Sequence, residues 1–168
     1  MTKKEETMLN RKILSEIDRQ EVKRLFSYDM CELDSDFVAF LSSYADLKDI
    51  VPEDWTILDL GCYQALQGHL YKDHARYIAV DCGVSAEWRL HQDNAEYYEC
   101  TIQEFIERIL PELDIDLEKT FAVCSYVPDL QAREMVRNTF PYFRDKYCSE
   151  IYERLPERKL LCKSEAII

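Results

Sequence analysis

The sequence predicts an α/β fold: a three-layer sandwich built around a doubly wound, mostly parallel β-sheet. Short apolar runs of strand length recur along the chain, separated by segments of helical periodicity or polar composition. The first two runs enclose a glycine turn, and an acid follows the second run. This is the layout of a nucleotide-binding βαβ unit. The 168 residues are expected to form one domain, residues 1–168, with residues 1–30 as an N-terminal helical extension.

The first elements are expected to be helices. Residues 8–26 carry apolar side chains at helical spacing, so they are interpreted as an amphipathic helix that covers the sheet or forms a lid over a ligand. A second helix is expected after Asp34 or Ser35, either of which can cap it. Its apolar stripe runs through Tyr44 and Leu47 and is interpreted as core.

The central βαβ unit follows. Residues 56–60 form an apolar run that Gly61 ends, and they are predicted to be a buried parallel strand. A helix is predicted over residues 65–71 and a second strand over residues 77–80. Asp81 ends this second strand, where a carboxylate can accept hydrogen bonds from both hydroxyls of a ribose.

Three elements are predicted in the next part of the chain. Residues 97–100 are interpreted as a third strand, after which Thr101 caps a helix and Glu104 completes a capping box. Residues 121–126 form a fourth apolar run and are predicted to be a strand. A helix over residues 130–140 is expected after it.

The pattern is weaker beyond Pro141. Residues 142–148 are interpreted as a fifth strand, residues 149–155 as a short helix, and residues 160–162 as a last strand or a tail. The sequence shows no pair of long strands here, so we expect a fold that is shortened at its C-terminus.

The segments DLGCYQALQGHL and YIAVDCG resemble motif I and the acidic strand-two motif of the class I S-adenosylmethionine-dependent methyltransferases. Asp59 and Gly61 match the acid and the first glycine of motif I, while Tyr63 and Ala65 stand where that family has its second and third glycines. The resemblance implies a Rossmann-like methyltransferase fold with S-adenosyl-L-methionine as cofactor. The cofactor-binding residues it implies are Asp59, Gly61, Cys62, Tyr63, Asp81 and Thr101.

The same resemblance directs attention to the end of the fourth strand, where that family places its substrate-facing motif. The polar groups there are Ser125, Tyr126 and Asp129, which are the candidate catalytic residues. Asp129 has a second interpretation of equal weight, because it can cap the helix that follows it.

Charge and composition limit the partners. The net charge is −12, and residues 31–120 hold twenty acids against six lysines or arginines, so a nucleic-acid partner is not expected. We expect a small-molecule or protein substrate instead. No apolar run reaches the length of a membrane span and the N-terminus lacks the apolar core of a signal peptide, so a cytoplasmic location is expected. The seven cysteines are expected to be reduced thiols, with no metal site.

Two functions follow from these observations. The leading interpretation is S-adenosylmethionine-dependent methyl transfer to a small-molecule or protein acceptor, favoured by Asp59, Gly61 and Asp81 together. The alternative is a degenerate methyltransferase fold that kept the sheet and lost the cofactor, serving as a binding or regulatory protein. Tyr63 in a glycine position favours the alternative, because a side chain there can fill the space of the cofactor's methionine end.

Overall fold

A computed structural model describes residues 43–63, 65–83 and 91–157. The predicted helix over residues 8–26, the cap at Asp34 or Ser35 and the predicted strand over residues 160–162 lie outside the described residues.

The described residues form a six-stranded sheet with the order β3-β2-β1-β4-β5-β6. The strands are β1 (Thr56–Leu60), β2 (Arg76–Val80), β3 (Ala95–Tyr98), β4 (Thr120–Ser125), β5 (Phe143–Tyr147) and β6 (Glu150–Arg154). Strands β1 to β5 are parallel, and β6 runs antiparallel to β5. This mostly parallel sheet confirms the predicted α/β fold of Rossmann-like type.

Short helices connect the strands. They are α1 (Leu47–Ile50), a 3₁₀ helix (Leu66–Tyr71), α2 (Ile102–Glu104), which continues as a π-helical turn (Phe105–Ile109), two 3₁₀ turns (Leu110–Glu112 and Leu117–Lys119) and α3 (Leu130–Thr139). The predicted capping box at Thr101 and Glu104 is confirmed at the start of α2.

The helices cover both faces of the sheet, which gives the predicted three layers. One core packs α1 and the 3₁₀ helix against alternate strand residues such as Ile57 and Phe121. The other packs α2 and α3 against the intervening residues, such as Leu58 and Ala122. Each inner strand is therefore buried on both sides, as the continuous apolar runs predicted.

The helix predicted over residues 65–71 is a 3₁₀ helix that packs unusually close to β2. A Cβ atom at Gly68 would lie 2.5 Å from Cε1 of the Tyr77 ring. This distance is far below van der Waals contact, so glycine is required for the helix to rest on the ring. Gly68 is thus a packing residue.

The C-terminal prediction was wrong in one element. Residues 149–155 were expected to form a helix, but they contribute β6, which pairs with β5 over its whole length. The reversal depends on Cys148, whose φ of 54° places it in the left-handed region that tight two-residue turns require. Two short strands therefore end the sheet where no hairpin was expected. The third strand also begins two residues earlier than predicted, at Ala95.

Buried ion pairs tie β5 to α3. The guanidinium of Arg133 donates to Asp145 over 2.8 Å, and both side chains are almost completely buried. Arg137 lies 3.4 Å from the other carboxylate oxygen of Asp145. The nearby Cys124 thiol has its pKa raised to about 12, first by burial and then by the Asp145 carboxylate. Cys124 is therefore protonated at neutral pH and serves as a small core residue.

Candidate functional site

A cleft of about 440 Å³ opens at the carboxyl edge of the sheet, beside the ends of β1, β2 and β4. The order of strands reverses between β1 and β4, and ligands of open α/β sheets bind beside such a reversal. The volume is in the range of small-ligand sites. The lining residues are Gly61, Tyr63, Val80, Asp81, Cys82, Cys100, Thr101, Ile102, Gln103, Ser125, Tyr126, Val127, Pro128, Asp129 and Ala132.

The turn after β1 has left-handed backbone at three alternate positions. The φ angles are 86° at Gly61, 54° at Tyr63 and 60° at Ala65. These are the three positions that glycine occupies in motif I of the methyltransferases. A left-handed conformation costs about 1–2 kcal/mol for a residue with a Cβ atom. The turn thus has glycine-like geometry at two positions where glycine itself is missing.

Two contacts fix the start of this turn. The amides of Gly61 and Cys62 both donate to the carbonyl of Val80, at 2.8 and 3.1 Å, so the turn is joined to the end of β2. A Cβ atom at Gly61 would lie 2.6 Å from a methyl group of Val127. Glycine is therefore required at this position for two reasons: a Cβ atom would clash with Val127, and the backbone has a positive φ.

Asp81 lies at the cleft and accepts two backbone amides. Its Oδ2 accepts from the amide of Tyr63 at 2.9 Å, and its Oδ1 accepts from the amide of Gly83 at 2.7 Å. The two bonds fix the direction of the carboxylate relative to the turn.

Asp59 lies outside the cleft. Its side chain is fully buried on the other face of the sheet, where Tyr44 donates at 2.8 Å and Gln67 at 2.7 Å. The hydroxyl of Tyr77 also donates to it. Gln67 in turn donates to the carbonyl of Cys62 at 2.9 Å, so this network supports the glycine turn from behind.

Burial controls the ionisation of this network. Desolvation raises the pKa of Asp59 to about 6, although the hydrogen bonds from Tyr77, Gln67 and Tyr44 act in the opposite direction. The pKa values of Tyr44, Tyr71 and Tyr77 are raised well above their ordinary value, first by burial and then by the Asp59 charge. These tyrosines are therefore neutral hydrogen-bond donors at neutral pH.

The side chains of Ser125 and Asp129 contact neighbouring structural groups. The hydroxyl of Ser125 is buried and lies 2.6 Å from the hydroxyl of Ser43. Asp129 caps α3, accepting the amides of Gln131 at 2.9 Å and Ala132 at 3.3 Å, as its second interpretation predicted.

Tyr126 is the third candidate, and it lies on the wall of the cleft. The exposed fraction of Tyr126 is 38%. Its backbone is left-handed, with a φ of 57°. Its amide donates to the carbonyl of Lys146 at 2.7 Å, which holds it in this conformation. Strained backbone of this kind is concentrated at functional sites.

The structure brings together most of the predicted site residues. Seven of them line the cleft: Gly61, Tyr63, Asp81, Thr101, Ser125, Tyr126 and Asp129. Asp59 and Cys62 lie behind the turn in the buried core. The hydroxyl of Thr101 accepts the amide of Glu104 at 3.1 Å, so its side chain is engaged in capping α2.

Sequence reasoning missed the apolar wall of the cleft. Val80, Ile102, Val127 and Pro128 form this wall, although none of them was predicted to be a site residue. It also missed Gln67, for which there was a signal: a polar residue among the apolar ones of a predicted helix.

A second cavity, of about 510 Å³, lies among the segments that precede β1 and β2. Charged residues of both signs line it, including Lys48, Asp49, Lys72 and Asp73. It contains none of the predicted site residues, and it lies away from the sheet edge at which parallel sheets bind ligands. The cleft is therefore the candidate site.

Comparisons with known proteins find a distant structural likeness. No protein-family model matches this chain, and no curated protein matches it. Among solved structures, it is similar to a proposed type II methyltransferase from Anaeromyxobacter dehalogenans, with 19% identity and a TM-score of 0.43. The match covers 62% of this chain and 46% of that chain, so this chain matches under half of that protein's length. The fold assignment rests on the order and direction of the strands themselves.

None of the helices in the described residues has the length and apolar character needed to cross a membrane.

Proposed function

We propose that this protein binds S-adenosylmethionine in the cleft and transfers its methyl group to a small-molecule or protein acceptor. The observation that carries the proposal is the turn after β1. It has left-handed backbone at each of the three glycine positions of motif I, and one of its amides is bonded to Asp81. Positive φ is the conformation that glycine adopts without strain, so the backbone at Tyr63 and Ala65 suits the glycines that stand there in motif I.

The residues at the cleft fit the chemistry of this cofactor. Asp81 would hold the ribose hydroxyls, because a carboxylate at the end of the second strand accepts such hydrogen bonds. The apolar side chains of Val80 and Ile102 would contact the adenine base, whose flat faces favour apolar surroundings. Tyr63 lines the cleft and is 49% exposed, so its ring is not packed into the core.

When bound, S-adenosylmethionine supplies a methyl group that its sulfonium already makes electrophilic. The protein's own contribution is then mainly to place an acceptor in line with it. Tyr126, which lines the cleft at the end of β4, is the side chain we assign to orienting the acceptor. Ser125 and Asp129 are assigned to holding the wall, because their side-chain oxygens contact Ser43 and the start of α3.

A second candidate function is a binding or regulatory protein with this fold and without catalysis. The engagement of Ser125 and Asp129 in structural contacts favours it, because it leaves Tyr126 as the main candidate for contact with an acceptor. This protein would be a degenerate form of the fold that has lost the cofactor. The two functions therefore differ in whether the cleft binds S-adenosylmethionine.

Calorimetric titration with S-adenosylmethionine and S-adenosylhomocysteine tests the proposal, with ATP as a control that shares the adenosine. Binding of both adenosyl ligands and no binding of ATP is the expected result. Binding of neither would refute it. Incubation with methyl-labelled S-adenosylmethionine and a mixture of small amines and peptides then tests methyl transfer, and a labelled product would support the enzyme. Absence of cofactor binding in the titration would favour the regulatory protein.

A further inference from the structure

Strand β6 forms one edge of the sheet within the described part of the chain, and all five of its residues are exposed. Ile151 exposes 51% of its surface and Tyr152 exposes 45%. Since neighbouring residues of a strand point to opposite faces, this edge carries an apolar side chain on each face. Exposed edges of this kind pair readily with another strand.

The hairpin geometry determines which backbone groups of β6 point outward. Tyr147 pairs with Glu150, so the turn between the strands is two residues long and this flanking pair exchanges hydrogen bonds. Bonded and non-bonded pairs alternate along an antiparallel ladder. The amides and carbonyls of Ile151 and Glu153 therefore point away from β5. The outer edge of β6 therefore presents one amide donor and one carbonyl acceptor at Ile151 and one of each at Glu153.

The sequence of β6, Glu-Ile-Tyr-Glu-Arg, is complementary to itself when two copies run antiparallel about a twofold axis at Tyr152. This register places Ile151 opposite Glu153 of the second copy, so all the outward amides and carbonyls form hydrogen bonds. It also places Glu150 opposite Arg154 of the second copy at both ends. Opposite charges at directly opposed positions stabilise a strand pair.

Side chains at this edge are held in place by the rest of the domain. The guanidinium of Arg137 lies 4.4 Å above the Tyr152 ring, and Arg133 donates to Glu150 at 3.2 Å. On the other face, Arg144 donates to Glu153 at 2.8 Å. Because these contacts already restrict the side chains in a single copy, the side chains lose less rotamer entropy when a second copy covers the edge. This favours association.

We propose that this protein forms a homodimer in which the β6 strands of two copies pair antiparallel about Tyr152 and join the two sheets into one continuous sheet. The two copies are related by a twofold axis, the commonest symmetry of soluble oligomers. A five-residue strand pair is a small interface, so the dimer dissociates on dilution.

Sedimentation equilibrium of the full chain over a hundredfold range of concentration tests the dimer. The variant Ile151→Pro removes an outward amide without removing a bond to β5, and it should weaken dimerisation about tenfold or more. Ile151→Thr keeps that amide and the β-branched shape, so it is the matched control and should retain most of the association. Unchanged thermal unfolding of both variants shows that the hairpin is intact.

Charge reversal gives a second, independent readout. Glu150→Arg and Arg154→Glu each place like charges opposite one another at both ends of the strand pair, so each variant alone should be monomeric. An equimolar mixture of the two variants places opposite charges at both ends and should dimerise again. A wild-type chain that remains monomeric at every concentration overturns the proposal. So does a dimer that Ile151→Pro leaves unchanged, or a mixture that does not recover association.

Discussion

The backbone amide of Tyr63 donates a hydrogen bond to Oδ2 of Asp81 over 2.9 Å, and this bond joins the turn after β1 to the acid that ends β2. Tyr63 stands in a glycine position of the methyltransferase motif, yet its left-handed backbone points the amide at the carboxylate. The two sequence features that carried the resemblance are therefore in direct contact. A change at either residue is expected to affect the other.

Replacing Asp81 with alanine should weaken binding of S-adenosylmethionine by more than tenfold. The proposed ribose bonds go to a charged acceptor, and each such bond contributes about 1.5–3 kcal/mol, so tenfold is a cautious lower limit. Calorimetry measures the change. Asp54→Ala is the control, because that exposed carboxylate lies outside the cleft and only approaches Lys119, at 3.8 Å. Equal affinity in the two variants would refute the ribose assignment.

Replacing Tyr63 with glycine or alanine separates the effect of the ring from that of the backbone. Both variants lose the half-exposed ring, but only glycine adopts a positive φ without strain. The glycine variant should therefore be about 1 kcal/mol more stable than the alanine variant in urea unfolding. An alanine variant of equal or greater stability would show that the backbone at this position is not left-handed.

The same pair of variants discriminates between the two candidate functions. If the wild-type cleft is open, the glycine variant should bind S-adenosylmethionine about as tightly as the wild-type chain does. If cofactor binding is detected only after Tyr63→Gly, the ring closes the site in the wild-type protein. That result would support the regulatory protein and not the enzyme.

Asp59 should make stability fall as pH rises through about 6. Burial raises its pKa from 3.8 to about 6 in the folded protein, so the folded state binds the proton more tightly than the unfolded chain does. The stabilisation is complete below the unfolded pKa and is lost as pH rises through the folded value. A shift of this size corresponds to roughly 3 kcal/mol.

Urea unfolding of the wild-type chain and of Asp59→Asn, measured from pH 4 to pH 8, checks this. The difference between the two free energies of unfolding should change across that range, because only the wild-type side chain titrates. Asp54→Asn serves as a control for the loss of an exposed carboxylate elsewhere on the chain. A pH-independent difference between wild type and Asp59→Asn would contradict the assignment.

Replacing Gly68 with alanine should destabilise the fold by about 1–3 kcal/mol, the usual range for overpacking. The added Cβ would lie 2.5 Å from the ring of Tyr77, and this ring cannot retreat without loosening its hydroxyl from Asp59. Gly83→Ala is the comparison, because its Cβ would meet Oδ1 of Asp81 at 3.3 Å, a milder contact. Thermal unfolding should therefore show the larger loss at Gly68, and the reverse order would contradict this packing.

The sequence predicted the elements whose signals are local. Apolar runs identified β1, β2 and β4, and the pair Thr101 and Glu104 identified the start of α2, because each signal acts within a few residues. The strand β6 was not predicted, because Glu150–Arg154 lacks the alternation of apolar and polar residues that is typical of a strand. It is stabilised by pairing with β5. Tertiary pairing of this kind overrides local propensity.

The candidate site was predictable in position but not in the direction of its side chains. The ends of β1, β2 and β4 placed Gly61, Asp81 and Tyr126 at one edge, as the topology of parallel strands requires. The same rule could not show that the Asp59 side chain points into the core and away from the cleft. That direction depends on the pleat of β1 and on the hydroxyls of Tyr44 and Tyr77, which donate to the carboxylate. Long-range contacts such as Ser43 with Ser125 have no local signature either.

The helix that follows the glycine turn is only six residues long and of 3₁₀ type. In dinucleotide-binding folds, a longer α-helix at this place directs the positive end of its macrodipole at a pyrophosphate. Few peptide dipoles are aligned here, and the two carboxylates at the cleft, Asp81 and Asp129, add negative potential. If the cleft binds the proposed adenosyl cofactor, we expect these two features to disfavour a phosphate group relative to a sulfonium or ammonium group.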